Sequence, residues 1–558
     1  MRRQRLSDRC VTGLIWLVYA AIFLFILYPI LALFYHSLWA RSGLGLMGAW
    51  RIVRASQTLL KNSLLSAVLT SLLSTSLTVA VGLVTAMSRP SLKRIIRLAL
   101  LLTMISPPFV TSLSYINLFG RRGLITYELL GLSLNPYGMT GVILMQSLSY
   151  LSLHALLLAA AIERIPSALI KSGLDLGASP SRVITELILP ELKPTIGIVA
   201  LLNFIKSLAD FSTPAIIGGR FNTLATAAYL SMVAGGDINR AAVLNSLIFI
   251  PALIVYLFYR RYHKKENMKD RSSSFYALPR RGLVYHFCAL VTLFVLTALI
   301  LQYGALIAEA FIQRQGGQIH FTLAHFRTSS VHLSGAMLRS ILYAVTAALG
   351  GTIIGFLLGY ALHDRPGSLV KTIDFLATLP YVLPGSFFGI AYIYAFRAAP
   401  LALTGTAAIV VLNMLFKQLP FNAQVGSEAV QNVDRAIPQS IADLGGSRLR
   451  QLTDGFLPLS RGPLFVSFVN SFASSMCTVG SILFLVYPGQ KVATIVLFDL
   501  IQSGKYNTGS ALALWIMGVT LLGNGLFYLF IARQHRQPGK DYSLDKGERN
   551  DKMSSRSL

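Results

Sequence analysis

Lys206 and Asp210 stand four residues apart inside an otherwise apolar run, and Lys417 stands inside another. A charge at the middle of a bilayer costs about 2.5 to 3.5 kcal/mol on insertion scales, so each needs a partner or a use. At helical spacing Lys206 and Asp210 share a face, which favours an ion pair between them; exposure to an aqueous path is the other reading. Lys417 is expected to snorkel toward the cytoplasmic surface. Pro107, Pro108, Pro380 and Pro384 form a second set, at corresponding places in two apolar runs, where they bend or unwind a helix. Broken helices at matched positions either line a path or pack as kinks, and these prolines with Asp210 are the candidate path residues.

Catalytic and cofactor chemistry finds no such foothold. The chain has no G-x-x-x-x-G-K-[ST] phosphate loop, since Gly504-Lys505 is followed by Tyr506 and lacks the upstream glycine. No catalytic residue and no bound cofactor are expected, and any ATP is used by another subunit. Cys10, Cys288 and Cys477 lie far apart without metal-ligand spacing, so no metal site is expected either.

The elements that must position these groups are transmembrane helices. Of 558 residues 54% are hydrophobic and only 13% charged, against about a quarter charged in soluble domains. The net charge of +27 sits between long apolar runs rather than on a polar domain, which argues for loops beside a bilayer and against a nucleic-acid partner. Crossing a core of about 30 Å takes about 20 apolar residues in a helix. Such runs lie near 12–36, 60–88, 95–119, 139–160, 195–217, 241–259, 283–312, 335–362, 373–397, 402–424, 462–486 and 509–532. If each crosses once, the N-terminus, Arg89 to Arg97, Arg260 to Arg271, His363 to Lys371 and the tail from Arg533 share one side. Their density of Lys and Arg makes that side the cytoplasm, although Arg41, Arg51, Arg121, Arg122 and Lys491 fall opposite.

The chain repeats itself. The loop after the fourth run reads KSGLDLGASPSRVITELILPEL from Lys171, and the loop after the tenth reads QSIADLGGSRLRQLTDGFLPLS from Gln439. Subtracting 177 from 445, or 190 from 458, gives the same offset of 268, and Ala225-Thr226 meets Ala493-Thr494 at that offset too. Upstream it becomes 276, where Arg89-Pro90 meets Arg365-Pro366 and Pro108 meets Pro384. Within each loop Gly177 suits the left-handed end of a helix, Ser179 an N-cap and Pro180 the first helical position. Val183, Ile184, Leu187 and Ile188 then form an apolar face that Pro190 closes. The second copy keeps Gly445 and Ser447 but lacks the proline after the serine. Either loop alone also reads as a connector lying on the lipid surface; two matched copies disfavour that.

The pattern D-L-G-A-S, followed thirteen residues after its glycine by the proline of L-P, resembles the EAA loop of bacterial ABC importer permeases, in which a short coupling helix docks into a groove of a cytoplasmic ATPase. The triplet itself is Lys171-Ser172-Gly173 in one copy and Gln439-Ser440-Ile441 in the other. The resemblance covers about 55–260 and 335–532 and implies the type I importer permease fold. That is an all-α polytopic membrane protein with about 12 transmembrane helices in two homologous six-helix halves. It further implies a first half at 1–259, a cytoplasmic linker at 260–282, a second half at 283–532 and a polar cytoplasmic tail at 533–558, with coupling loops at about 163–194 and 431–461. The residues that would meet the ATPase are Asp175, Leu176, Gly177, Ala178, Ser179 and Pro190, and Asp443, Leu444, Gly445, Gly446, Ser447 and Pro458. Implied partners are the cytoplasmic ABC ATPase in two copies, a periplasmic substrate-binding protein and the lipid bilayer. The implied location is the bacterial inner membrane, with both termini cytoplasmic.

Segments 107–126, 209–219 and 484–494 are similar to those of fused permeases in ferric iron importers, which makes ferric iron the expected substrate. Thiamine, aminoethylphosphonate or another small solute is the alternative within the family. A twelve-helix secondary transporter is the alternative outside it, and would need a charged coupling network inside the spans and no ATPase.

Overall fold

The computed structural model describes residues 2–38, 45–104, 106–107, 109–121, 123–132, 135–266, 280–315, 318–364 and 367–535. Pro108, Arg365-Pro366, most of the linker and the tail from 536 lie outside the described residues. In chain order the helices up to the linker are α1 (Ser7–Ser37), α2 (Gly45–Ala55), α3 (Gln57–Met87), α4 (Pro90–Met104), α5 (Phe109–Phe119) and α6 (Met139–Glu163). They continue as α7 (Ser167–Asp175), α8 (Pro180–Glu191), α9 (Lys193–Ala209), α10 (Ser212–Ile217), α11 (Leu224–Val233) and α12 (Ile238–Glu266). After the linker come α13 (Leu283–Phe311), a hairpin of β1 (Ile312–Gln315) and β2 (Gln318–Phe321), α14 (Ala324–Asp364), α15 (Ser368–Tyr381) and α16 (Gly385–Phe396). The last are α17 (Ala407–Gln431), α18 (Ala436–Asp443), α19 (448–459), α20 (Arg461–Met476), α21 (Ala493–Gln502) and α22 (Tyr506–His535).

The protein is an all-α polytopic membrane protein, and its described residues include one two-stranded hairpin. Among the described residues seven helices (α1, α3, α6, α12, α13, α14 and α22) hold stretches long and apolar enough to cross a membrane. Three bent pairs bring the number to ten: α4 with Phe109–Leu129 at 103°, α8 with α9 at 66° and α15 with α16 at 116°. The tenth and eleventh of the twelve expected runs do not reach that length or apolarity. Helix α17 carries Asn413, Lys417, Gln418 and Asn422 along its middle, and α20 stops at Met476 after 16 residues, where the chain turns through 477–487 instead of running on to 486. Two ten-residue apolar helices, α11 and α21, sit at matched places in the two halves of the sequence, too short to cross alone.

Small residues let the spans approach closely, as helix packing in lipid requires. The buried face of α3 carries Ser63, Ser66, Thr70, Ser71 and Ser74, and the Ser71 hydroxyl donates to the Ala200 carbonyl of α9 at 2.6 Å. In the second half of the sequence glycines do the same work. A Cβ on Gly355 would lie 2.4 Å from the Asn422 carbonyl oxygen, and one on Gly359 would lie 2.5 Å from the Gly426 carbonyl carbon, so α14 and α17 meet backbone to backbone.

The first span of each half of the sequence crosses to the other. Val11 of α1 is buried among Phe356, Tyr360, Val430, Leu452 and Phe456, and the Tyr392 hydroxyl donates to the Phe25 carbonyl at 2.8 Å. Cys288, Val295 and Leu299 of α13 are buried in turn with Ile170, Val183, Ile184 and Ile188.

Candidate functional site

Both repeated loops form the same helix–turn–helix. Helix α7 ends at Asp175, and Gly177 takes φ +83°. The Ala178 amide donates to the Gly173 carbonyl at 3.1 Å and the Gly177 amide to Leu174 at 2.9 Å, the paired bonds of a Schellman cap. Helix α18 ends at Asp443 in the same way: Gly445 has φ +78°, with Gly446 donating to Ile441 and Gly445 to Ala442, each at 2.8 Å. Residues with a Cβ avoid this left-handed region, which is why glycine stands at both sites. Extended Ser179 and Ser447 follow, and their hydroxyls accept the amides of Arg182 at 3.4 Å and Arg450 at 3.5 Å, capping α8 and α19.

Each of these short helices widens into a π-helical turn, Ile184–Ile188 and Gln451–Phe456, just before Pro190 and Pro458. A proline has no amide to donate, and the wider turn accommodates it. Pro190 therefore does not end the helix as expected. A final turn, Leu189–Glu191, carries it to the bend at Leu192.

One pair of positions differs between the loops. A Cβ on Gly446 would lie 2.5 Å from Ile441 Cγ2 and 2.6 Å from the Ile441 carbonyl oxygen. The first loop has Ala178 at the place of Gly446 and Gly173 at the place of Ile441, and there a Cβ on Gly173 would meet Leu187 Cδ1 at 2.6 Å.

Around these turns the backs are buried and the tips are bare. Ile170, Val183, Ile184 and Ile188 are at most 1% exposed, whereas Leu176 and Leu444, each one residue before its glycine, are both 89% exposed. The second loop is also tied to distant parts of the chain. The Arg448 amide donates to Asp8 Oδ1 of α1 at 3.1 Å, and the Arg448 guanidinium pairs with Asp364 at the end of α14. In the first loop the contact runs the other way: the Val284 amide at the start of α13 donates to Ser181 Oγ at 3.5 Å.

The proline breaks fall where the sequence placed them. Buried Pro107 lies between α4 and α5 and its carbonyl accepts the Val110 amide at 3.0 Å. Pro380 is buried in a 3-10 turn, and Pro384 is the N-cap of α16. Lys417 does not snorkel. Its ammonium donates to the carbonyls of Pro380 at 2.7 Å and Leu383 at 2.6 Å, satisfying oxygens that the broken helix leaves without amide partners.

Lys206 and Asp210 do not form the expected ion pair among the described contacts. Helix α9 ends at Ala209, and Asp210 has ψ 112°, so the i,i+4 register on which the pairing rested is lost. The carboxylate turns to α10 instead. Oδ1 accepts the Ser212 amide at 2.8 Å, the Ser212 hydroxyl at 2.6 Å and the Thr213 amide at 3.2 Å, while Oδ2 accepts Gln146 Nε2 at 3.0 Å and the Tyr150 hydroxyl at 3.2 Å. Lys206 Nζ sits 5.8 Å from the centroid of the Tyr150 ring. With five donors on it, Asp210 holds the break between α9 and α10 together. Among the described residues no group of three or more His, Cys, Asp or Glu side chains is arranged to hold a metal ion.

The arrangement can pass motion between an exposed turn and a bent span, because α8 leads directly into α9 and α19 into α20. Residues 78–266, which include the first turn, match the family described as binding-protein-dependent transport system inner membrane component. The molybdenum transport system permease protein ModB of Mycobacterium bovis is 30% identical over 241 residues, 42% of this chain and 88% of that protein. The chain belongs to this family of transport permeases. As such it is the inner-membrane component of an ABC transporter, working with an ATPase and a substrate-binding protein. The permease is also similar along most of its length to the ferric transport system permease protein FbpB of Actinobacillus pleuropneumoniae, with 26% identity over 555 residues, 95% of this chain and 80% of that protein. A putative FbpB of Haemophilus influenzae is 27% identical over 508 residues, 88% of this chain and 80% of that protein.

Several features of the site carry no local signal in the permease sequence. The anchoring of Lys417 and the exchange of bulk between 173/178 and 441/446 depend on contacts. Helices α11 and α21 do have a signal, the repeated Ala225-Thr226 and Ala493-Thr494, at or beside their first residues.

Proposed function

We propose that this permease holds both membrane halves of an importer in one chain, 1–259 and 283–532, and that it carries ferric iron. The linker at 260–282, the tail at 533–558 and both termini lie in the cytoplasm in this reading. Each half offers one coupling loop, about 163–194 and 431–461, to one of two ATPase copies. The observation that carries it is the pair of matching turns with their two bare leucines, which suit two copies of one groove. A single-half relative that spends 88% of its length on 42% of this chain supports the division into halves.

ATP binding would close the ATPases on each other, draw α8 and α19 together and swing α9 and α20, turning the path outward to a loaded binding protein. The chain itself performs no chemistry in this cycle. ATP is hydrolysed on the partner, and no cofactor is held here. Likeness to FbpB proteins over 95% and 88% of the chain supports ferric iron as the cargo.

The test is reconstitution of the permease with its ATPase and binding protein in vesicles. Uptake of radioactive ferric iron on ATP addition, and none without the ATPase, is the expected result. If aminoethylphosphonate or thiamine is accumulated and iron is not, the iron assignment is wrong.

A further inference from the structure

Four helices that start on the side of the glycine turns end after similar lengths. From the end that carries the glycine turns, α9 rises 17 residues before Asp210 and α20 rises 16 before Cys477, or about 24 to 26 Å at 1.5 Å per residue. Helix α4 rises 15 residues to Met104 and α15 rises 14 to Tyr381, about 21 to 23 Å. None of these lengths reaches a core of about 30 Å, so a span built from any of them has its break inside the bilayer. Backbone without helix at that depth is tolerated only where protein or an aqueous path surrounds it.

Residues next to the breaks meet one another across the two halves of the sequence. Phe211, 4% exposed, lies over Gly480, where a Cβ would come within 3.2 Å of its ring. A Cβ on Gly385, the first residue of α16, would lie 2.8 Å from the Gly480 carbonyl carbon, so three segments close on one point. Phe109, the first residue of α5, stacks on Phe498 of α21 with centroids 4.8 Å apart. Tyr229 of α11 joins Phe211 at 5.2 Å, Phe498 at 5.7 Å and Phe484 at 6.3 Å. The two sides are unlike. Counting 268 on from Phe211 and Tyr229 gives Val479 and Leu497, and 276 on from Phe109 gives Gly385, so the first half supplies the plug and the second a glycine socket.

We propose that this aromatic cluster, with Phe211 seated on Gly480, is the gate that shuts the substrate path on the side of the binding protein. The proposal rests on the transport reading above, and the two fail separately. A dry aromatic constriction blocks ions by excluding water, and its broken helices can open without unwinding a continuous span. The asymmetry means that one ring leaving one socket opens it.

Two measurements on the full permease–ATPase complex in sealed vesicles test the gate. Phe211→Ala should raise the leak of trapped rubidium about tenfold or more without ATP or binding protein, while Phe211→Leu stays tight, because a constriction fails when its apolar bulk is removed. This readout needs no knowledge of the cargo. The second places Phe211→Cys and Gly480→Cys in a background with Cys10, Cys288 and Cys477 changed to serine. Oxidation to the cross-half disulfide should stop uptake and reduction restore it, with ATPase recovery in a pull-down unchanged throughout. Wild-type tightness of a correctly inserted Phe211→Ala, or full uptake by the cross-linked pair, would overturn the gate. A gate that behaves as expected beside absent iron uptake would overturn the iron assignment alone.

Discussion

Leu176 and Leu444 hold the same place in the two turns, one residue before the left-handed glycine, and each is 89% exposed. An exposed leucine on a rigid cap gains about 1.5 to 3 kcal/mol if a partner buries it. Leu176→Asp or Leu444→Asp should therefore leave insertion and abundance unchanged while the ATPase recovered with the permease falls by an order of magnitude. Unchanged recovery in both variants would mean that the turns do not meet the ATPase.

The glycines act one step earlier, on the shape of the turn. At φ +83° and +78° a β-branched residue is strained by about 1 kcal/mol or more. Gly177→Val and Gly445→Val should each give an inserted permease that recovers less ATPase and imports poorly, and the double variant should be weaker again. Pull-down and uptake measured on the same membranes check this; normal values for both single variants count against it.

Bulk exchanged between the two loops predicts a rescue. Gly446→Ala places a methyl against Ile441, where a Cβ has only 2.5 Å to Cγ2, and should weaken the second loop by about 1 to 3 kcal/mol. Adding Ile441→Gly copies residues 173 and 178 of the first loop and removes Cγ2 but not the carbonyl oxygen at 2.6 Å, so it should restore ATPase recovery in part. A double variant no better than Gly446→Ala alone would refute the pairing.

Lys417 is the anchor of the broken span. Lys417→Met leaves the Pro380 and Leu383 carbonyls without their donor, at about 1 to 3 kcal/mol for each buried unsatisfied group. Thermal unfolding of the purified permease in detergent should move to lower temperature. An unshifted midpoint would show that water or another donor replaces the ammonium.

What was legible in the sequence was local. Gly177, Ser179 and Pro180 announce a helix end and a helix start within four residues, because caps satisfy backbone groups only one turn away. Pro107, Pro380 and Pro384 likewise mark breaks, since the missing amide acts at its own position. Lys417 misled because its partners lie on another span that is itself broken, and those freed carbonyls cannot be seen from the lysine's own helix. Lys206 and Asp210 misled for a related reason. Spacing of four implies a shared face only while the helix continues, and α9 ends between them. Runs ten and eleven fall short of the span criterion because Asn413, Lys417, Gln418 and Asn422 lower the apolarity of α17 and α20 ends after 16 residues.

The crossing of α1 into the second half has a consequence for how the protein is made. Asp8 and Arg448 touch across 440 residues of chain; at about 5 to 20 residues per second, ribosomal synthesis separates their appearance by about 20 to 90 s. For that time α1 sits in the bilayer with none of its second-half neighbours yet made. A helix that must wait has to be content with lipid on every side, and α1 is the most apolar of the seven long spans. Asp8, the one acid of α1, waits for its bond until the second glycine turn is made and Arg448 offers its amide. Biogenesis thus closes on the contact that ties the start of α1 to the second glycine turn.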